Sequence, residues 1–348
     1  MQKPITKQEG LALIIFTMVL VLAVTAFLVS QLNGSRVKIS REEKTAKALK
    51  EAKASLIGYL VYNSSKPGTL PCTDSTNSGS GVTSGANACA AYIGRLPWRQ
   101  LGLSMAKDGD GECLWYAISP VFRNQMTTAN RALNPINSST VGTLTLLDNA
   151  SAALPASINP VIAIVVAPGL PVSGQNHSGV TNRFCTGNSI ASNYLDSTGG
   201  VNNSTGNVAG NNYTFILGSL SNSFNDRVAY ITANEVYPVL RKRIIKEILG
   251  AVAVPSGPVK YYNTNAVYPC PSATPSGNNN CLLSSGFVPY NDAALVLQYA
   301  SLGSWLTSNG WFPLAAYTYY NPTHVRVTII DSFGSNTCDA NGNVYTCS

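Results

Sequence analysis

Asp108, Asp110 and Glu112 occupy alternate positions in an Asp-Gly-Asp-Gly-Glu run. Hard oxygen ligands at that spacing in a glycine-rich turn are what a calcium loop presents, so calcium is the cofactor candidate. The rest of the EF-hand pattern, including its terminal bidentate glutamate, is missing. Asp-Gly is also a favoured hairpin dipeptide, which makes a solvated turn the plainer account. Asp339, Asn341 and Asn343 form a sparser set of the same kind.

Nucleophilic chemistry finds little support. Gly102-Leu103-Ser104-Met105-Ala106 and Gly187-Asn188-Ser189-Ile190-Ala191 each miss the last glycine of a nucleophile elbow. Neither a phosphate-binding loop nor a dinucleotide fingerprint occurs. The two histidines, His177 in a polar loop and His324 beside a strand, read as ordinary surface residues. These absences argue against an enzyme.

The 8 cysteines fall where loops should be. Cys72 and Cys89, Cys270 and Cys281, and Cys338 and Cys347 each bracket Gly/Ser/Asn/Thr-rich sequence that a disulfide could close, which leaves Cys113 for Cys185. Other pairings among roughly a hundred stay open. Zinc would want a CxxC or Cys/His spacing that the chain lacks. An even cysteine count in such loops points to an oxidising compartment.

The 348 residues can form one large domain or two modest ones, and only 11% are charged. The net charge of +7 is thinly spread and partly carried by a helical face at 36–53. No basic cluster with interleaved aromatics accompanies it, so nucleic acid is not an expected partner. The segment Trp311–Tyr320, with Tyr261, Tyr262 and Tyr290, could line a carbohydrate face, although core and sheet packing explains the same aromatics.

The elements that would position these residues follow from periodicity. Thr45, Ala48, Leu49, Ala52, Leu56, Tyr59 and Leu60 recur at helical spacing, opposite Lys44, Lys47, Lys50, Glu51 and Lys53. Ser40 and Glu43 fit a capping box, so a helix starts there or continues through, ending near Asn63. Strands are expected at 114–119, 143–147, 161–167, 213–217, 226–231, 315–319 and 325–330. A second capping box, Thr232 with Glu235, opens a helix carrying Val236, Leu240, Ile244 and Ile248 on one face. The order of helix, Pro-Cys, loop, Cys, Pro with Trp, and strand thus occurs twice, which suggests an internal duplication.

An uncharged apolar run occupies residues 11–30, directly behind the polar head MQKPITKQEG. About 20 such residues span bilayer hydrocarbon as a helix. A signal peptide cut near Val24-Thr25-Ala26, an uncleaved anchor, and a processed leader all fit the junction. The lysines and arginines at 36–47 vote against export of the body. The cysteines outvote them, placing the body in the periplasm and the run in the inner membrane as a single pass.

Lys7-Gln8-Glu9-Gly10 followed at once by Leu11 resembles the leader of type IV pilins and type II secretion pseudopilins. The segments Ala54–Tyr62, Arg95–Leu103, Trp115–Pro120, Val165–Gln175 and Phe224–Thr232 also resemble large bacterial pilin-like proteins, a likeness running to about Gly250. The resemblance implies cleavage after Gly10 by prepilin peptidase, methylation of Leu11, and packing of the N-terminal helix among other pilin subunits. It also favours calcium slightly, because calcium sites occur among pseudopilins. Where major pilins carry a glutamate five residues after the cut, this chain has Ile15, as some minor, tip-type subunits do.

The expected fold is α+β: a long N-terminal helix, membrane-spanning then amphipathic, packed on an antiparallel sheet, with a diverged second helix-plus-sheet copy and disulfide-bonded loops. The divisions are a leader at 1–10, a transmembrane helix at 11–35, a pilin-like domain at 36–230 and a second one at 231–348. The expected function is that of a minor filament subunit active in assembly, tip recognition or adhesion. A periplasmic binding protein outside any filament is the alternative, and a periplasmic hydrolase the third.

Overall fold

The computed structural model describes residues 8–124, 126–177, 185, 188–295, 297, 299 and 302–348; the side chains of 8–13, 26–35 and 128 lie outside that description. Helix α1 runs over Gln8–Tyr62, straight through the Ser40 capping sequence. Its later half buries Thr45, Leu49, Ala52, Leu56 and Leu60 and turns Lys44, Lys47, Lys50 and Glu51 to solvent. That arrangement is what the helical spacing of the apolar positions requires.

The earlier half corrects the membrane expectation. Side chains of the apolar run are described only from Ile14 to Thr25, and no helix among the described residues is long and apolar enough to cross a membrane. The transmembrane helix at 11–35, and single-pass anchoring in the inner membrane with it, is therefore not supported. Residues 1–7 of the proposed leader at 1–10 lie outside the described residues, and Gln8–Gly10 open α1.

Strands β1 (Ile93–Arg95), β2 (Trp115–Ile118), β4 (Ala163–Ala167) and β6 (Arg227–Ile231) form an antiparallel sheet of order β6-β4-β2-β1. Every residue of β4 is buried because its two faces meet two different cores. Ala163, Val165 and Ala167 face the core shared with α1, while Ile164 and Val166 pack with Leu144, Leu146 and Phe215. Those last residues belong to β3 (Leu144–Leu147) and β5 (Tyr213–Ile216), a separate parallel pair with Leu144 opposite Tyr213.

After the short helix α2 (Thr128–Leu133) the next long helix is α3 (Ala233–Leu249). Thr232 accepts from the Glu235 amide while Glu235 reaches back to the Thr232 amide, and Gly250 closes the helix in the left-handed region. Helices α4 (Gly257–Asn265) and α5 (Leu302–Ser308) follow. A five-stranded antiparallel meander closes the chain: β7 (Ser285–Phe287), β8 (Ala315–Asn321), β9 (His324–Asp331), β10 (Gly334–Asn341) and β11 (Val344–Cys347), in that order.

The architecture is thus mixed α/β, with five sheets among the described residues, and not one helix on one antiparallel sheet. The second half does not repeat the first in detail. Both large sheets pair their strands in chain order, but β3 and β5 leave the first sheet for a separate parallel pair between its successive strands, whereas the last sheet takes five strands in succession. Residues of α1, α3 and both large sheets also join in one continuous hydrophobic core. Recurrence of helix, loop and strand in the sequence reflected a common order of elements, which does not fix strand pairing.

Four disulfides join Cys72–Cys89, Cys113–Cys185, Cys270–Cys281 and Cys338–Cys347. Three are the pairs that bracket polar loops and the fourth is the pair that those leave over, and together they fit an extracellular or periplasmic compartment.

Candidate functional site

Where α1 meets the head, the Asp108 turn lies against the helix. A Cβ on Gly109 would come within 1.9 Å of the Arg41 carbonyl oxygen, so only glycine allows this approach. The Gly109 amide donates to Thr45 Oγ1 at 2.8 Å, and the Thr45 hydroxyl donates to the Arg41 carbonyl at 3.0 Å. Arg41 pairs with Asp110 at 3.2 Å, and Glu42 with Arg227 at 3.0 Å. Between α1, this turn and the loop before β6 opens a cleft of about 810 Å³, bordered by Lys38, Arg41, Asp110, Leu170, Leu220 and Asn225.

The three carboxylates of the turn diverge. Asp108 Oδ1 accepts from the amides of Asp110 and Glu112, both at 2.9 Å, and Oδ2 accepts from Gly169 at 2.9 Å. Burial raises the Asp108 carboxyl above its ordinary value, and the three amide bonds oppose that shift. Asp110 turns out to Arg41, while Glu112 turns inward to His177 at 3.1 Å. Among the described residues, no three His, Cys, Asp or Glu side chains converge as metal ligands. The calcium set Asp108, Asp110 and Glu112 is thus pulled apart by three separate partners. Asp339, at the other candidate, is held by Arg326 and His324.

His177 corrects the reading of a surface histidine. Its side chain is 6% exposed and sits against the Tyr194 ring, with centroids 4.4 Å apart. Nδ1 faces Glu112 Oε1 and Nε2 faces Gln175 Oε1, each at 3.1 Å. Gln175 Nε2 in turn donates to Asp196 Oδ1 at 2.7 Å, which fixes the orientation of its amide. A polar chain therefore runs from Glu112 through His177 and Gln175 to Asp196. Beside it Arg95 lies between the rings of Trp115 and Tyr194, 4.5 and 4.2 Å from their centroids, and donates to the Cys113 carbonyl at 3.1 Å. Burial lowers the Arg95 pKa, and the neighbouring Tyr194, Glu112 and Asp74 hold it up.

Among the described residues no hydroxyl or thiol donates to His177, whose two ring nitrogens face Glu112 and Gln175. No sequence signal announced this polar chain. Glu112 and His177 stand 65 residues apart, and only the fold brings them together.

Gly10 and Leu11, the expected processing site, lie in the first turns of α1, with side chains outside the described set. Of the aromatic segment, Trp311 and Phe312 are buried in the short 3-10 turn before β8, and within β8 alternation buries Tyr317 and leaves Tyr320 exposed. His324 is partly exposed, bonded to Asp339 and set against Tyr320. Compared with known proteins, the chain matches no family model, no curated protein and no solved structure.

Proposed function

We propose that this chain is a minor, pilin- or pseudopilin-like filament subunit whose disulfide-bonded head serves assembly or recognition. One observation carries the reading: α1 is buried in the head at one end and apolar on every side at the other. Ile14, Ile15, Phe16, Met18, Val19, Leu20, Val21, Leu22 and Val24 are each at least half exposed. A helix that is apolar all round calls for cover, and like helices of other subunits supply it in a filament. The junction of Gly10 with Leu11 supports the same reading through its resemblance to a prepilin leader, and Ile15 supports a specialised subunit. The cleft at the root of α1 adds a recognition surface on the head, close to the packing helix.

The test is mass spectrometry of the mature N-terminus. N-methylated Leu11 is expected, and replacing Gly10 with a bulky residue should block the cut. A mature chain beginning at Met1 or Phe27 defeats the proposal.

A further inference from the structure

Lys66, Arg123 and Arg131 lie together, and no described carboxylate pairs with any of them. Arg131 is fully buried, and it donates to the carbonyls of Val121 at 2.7 Å, Arg123 at 2.8 Å and Asn134 at 3.0 Å. Lys66 Nζ donates to the carbonyls of Asn124 and Met126, at 2.9 and 3.1 Å. Arg123 donates to the carbonyls of Asn87 at 2.5 Å and, through Nη1, of Pro120. Carbonyl dipoles accept from these groups, with Arg131 Nε left buried and without a partner, but they leave the net charge uncancelled. The residues 113–147 contain no Asp or Glu, so their own segment supplies no anion. The cations also act on one another: Arg131 lowers the Lys66 pKa and Arg123 lowers that of Arg131, in each case after the larger effect of burial.

A pocket of about 440 Å³ opens beside this trio, lined by Tyr92, Pro120, Val121, Arg123, Asn134, Thr143 and Asn211. Arg123 is its one charged lining residue, and the bonds described for that guanidinium use Nε and Nη1, not Nη2. The rest of the lining consists of amide and hydroxyl groups, an aromatic ring and apolar carbon. Its volume exceeds what a bare inorganic anion fills and suits a sugar ring. Guanidinium with carboxylate is a strong, charge-assisted pairing, and amides and hydroxyls match ring hydroxyls.

We propose that this pocket binds an acidic sugar residue, with its carboxylate on Arg123 and its hydroxyls on Asn134, Thr143 and Asn211. The site is independent of filament assembly, because it lies wholly in the head and makes no use of the exposed end of α1.

Titration calorimetry on the intact protein with glucuronate, glucose and inorganic phosphate tests it. Glucuronate should saturate and be held more tightly than either glucose or phosphate, and added salt should weaken it. Removing Arg123 could unfold the 120–134 segment that it braces, so the informative variant is Asn211→Asp. Asn211 is exposed, and its side chain makes no described contact that folding relies on. A like charge beside the carboxylate should weaken glucuronate by about tenfold or more while leaving thermal unfolding unchanged. Equal binding of glucose, equal binding of phosphate, absence of saturation, or an unaffected Asn211→Asp variant would each overturn the assignment.

Discussion

Asp196 and Asp226 cap each other's backbone: the Asp196 amide donates to Asp226 Oδ2 at 2.9 Å, and the Asp226 amide donates to Asp196 Oδ2 at 3.0 Å. Asn203 Nδ2 adds a second bond to Asp226 Oδ2 at 2.9 Å, so the loop after Tyr194 is tied to the start of β6. Burial, with the neighbouring Asp196 carboxylate as the second cause, raises the Asp226 pKa to about 8. Folding thus holds a proton that the unfolded chain releases near its ordinary value of 3.8.

The sign of the resulting pH dependence follows from that proton. Below the ordinary carboxylate range both states are protonated and the contribution of Asp226 to stability is complete. As pH rises toward 8 the unfolded state sheds the proton first, and stability is lost until the folded carboxyl ionises as well. Asp196, raised in the same direction by burial, acts with the same sign. Asp226→Asn keeps an acceptor for the Asp196 amide and removes the titration. Denaturant unfolding across this range should show the variant losing most of the downward slope and becoming more stable than the parent at the alkaline end. Parallel pH profiles would refute the account.

The disulfides differ in what they constrain. Cys113–Cys185 closes a separation of 72 residues and Cys338–Cys347 one of only 9, inside a single hairpin. On chain-entropy grounds the first contributes about 4 kcal/mol and the second about 2.5 kcal/mol. Paired Cys→Ser variants should rank in that order by thermal unfolding, and the reverse order would show that the hairpin bridge does more than restrain the unfolded chain.

Legibility in the sequence followed how local each signal was. The apolar run at 161–167 reads as a strand buried on both faces, and Ala163–Ala167 is one, since β-branched residues bounded by Pro168-Gly169 leave little else. The Thr232–Glu235 box places the start of α3 for the same reason. Strand β10 was missed because its buried positions, Cys338 and Ala340, are small and alternate with Thr337, Asp339 and Asn341. Its register against Val327 and Val325 identifies it, and register is not written in one segment. The parallel pairing of Leu144–Leu147 with Tyr213–Ile216, and the meeting of Glu112 with His177, depend on contacts distant in the chain. The candidate calcium triad shows the converse, because neighbours in sequence were drawn to three different partners.

Arg241 of α3 and Asp331 at the end of β9 form an ion pair whose side chains are 1% and 7% exposed. Arg241 also donates to Asn336 Oδ1 at 3.0 Å and to the Phe333 carbonyl at 3.3 Å, which fastens the helix to the β9–β10 turn. Asp331→Ala leaves a buried guanidinium without its anion and should cost about 3–5 kcal/mol. Replacing both residues together, Arg241→Met with Asp331→Leu, removes the stranded charge and should recover most of that loss. A double-mutant cycle measures the difference; a double variant no more stable than Asp331→Ala would mean that the bonds of Arg241 to the turn, and not its charge, are what matter.

Gly109 and Gly111 offer the sharpest comparison at the root of α1, because they are held as glycine for different reasons. At Gly109 an added methyl meets the Arg41 carbonyl at 1.9 Å, a backbone atom that no rotamer can move aside. At Gly111 nothing lies within 4 Å, but φ is +91°, where a side chain is strained. Gly111→Ala should therefore cost about 1 kcal/mol and leave the turn on the helix. Gly109→Ala should cost more, about 1–3 kcal/mol, by forcing the turn away from α1 and breaking the Thr45 contact. Hydrogen exchange distinguishes them, since the Gly109 amide, bonded to Thr45 Oγ1, sits where the two elements part. Faster exchange around Asp110–Glu112 in Gly109→Ala alone is the expected result. If both variants exchange alike, the close approach to Arg41 does not hold the turn in place, and the cleft beside it is not anchored by Gly109.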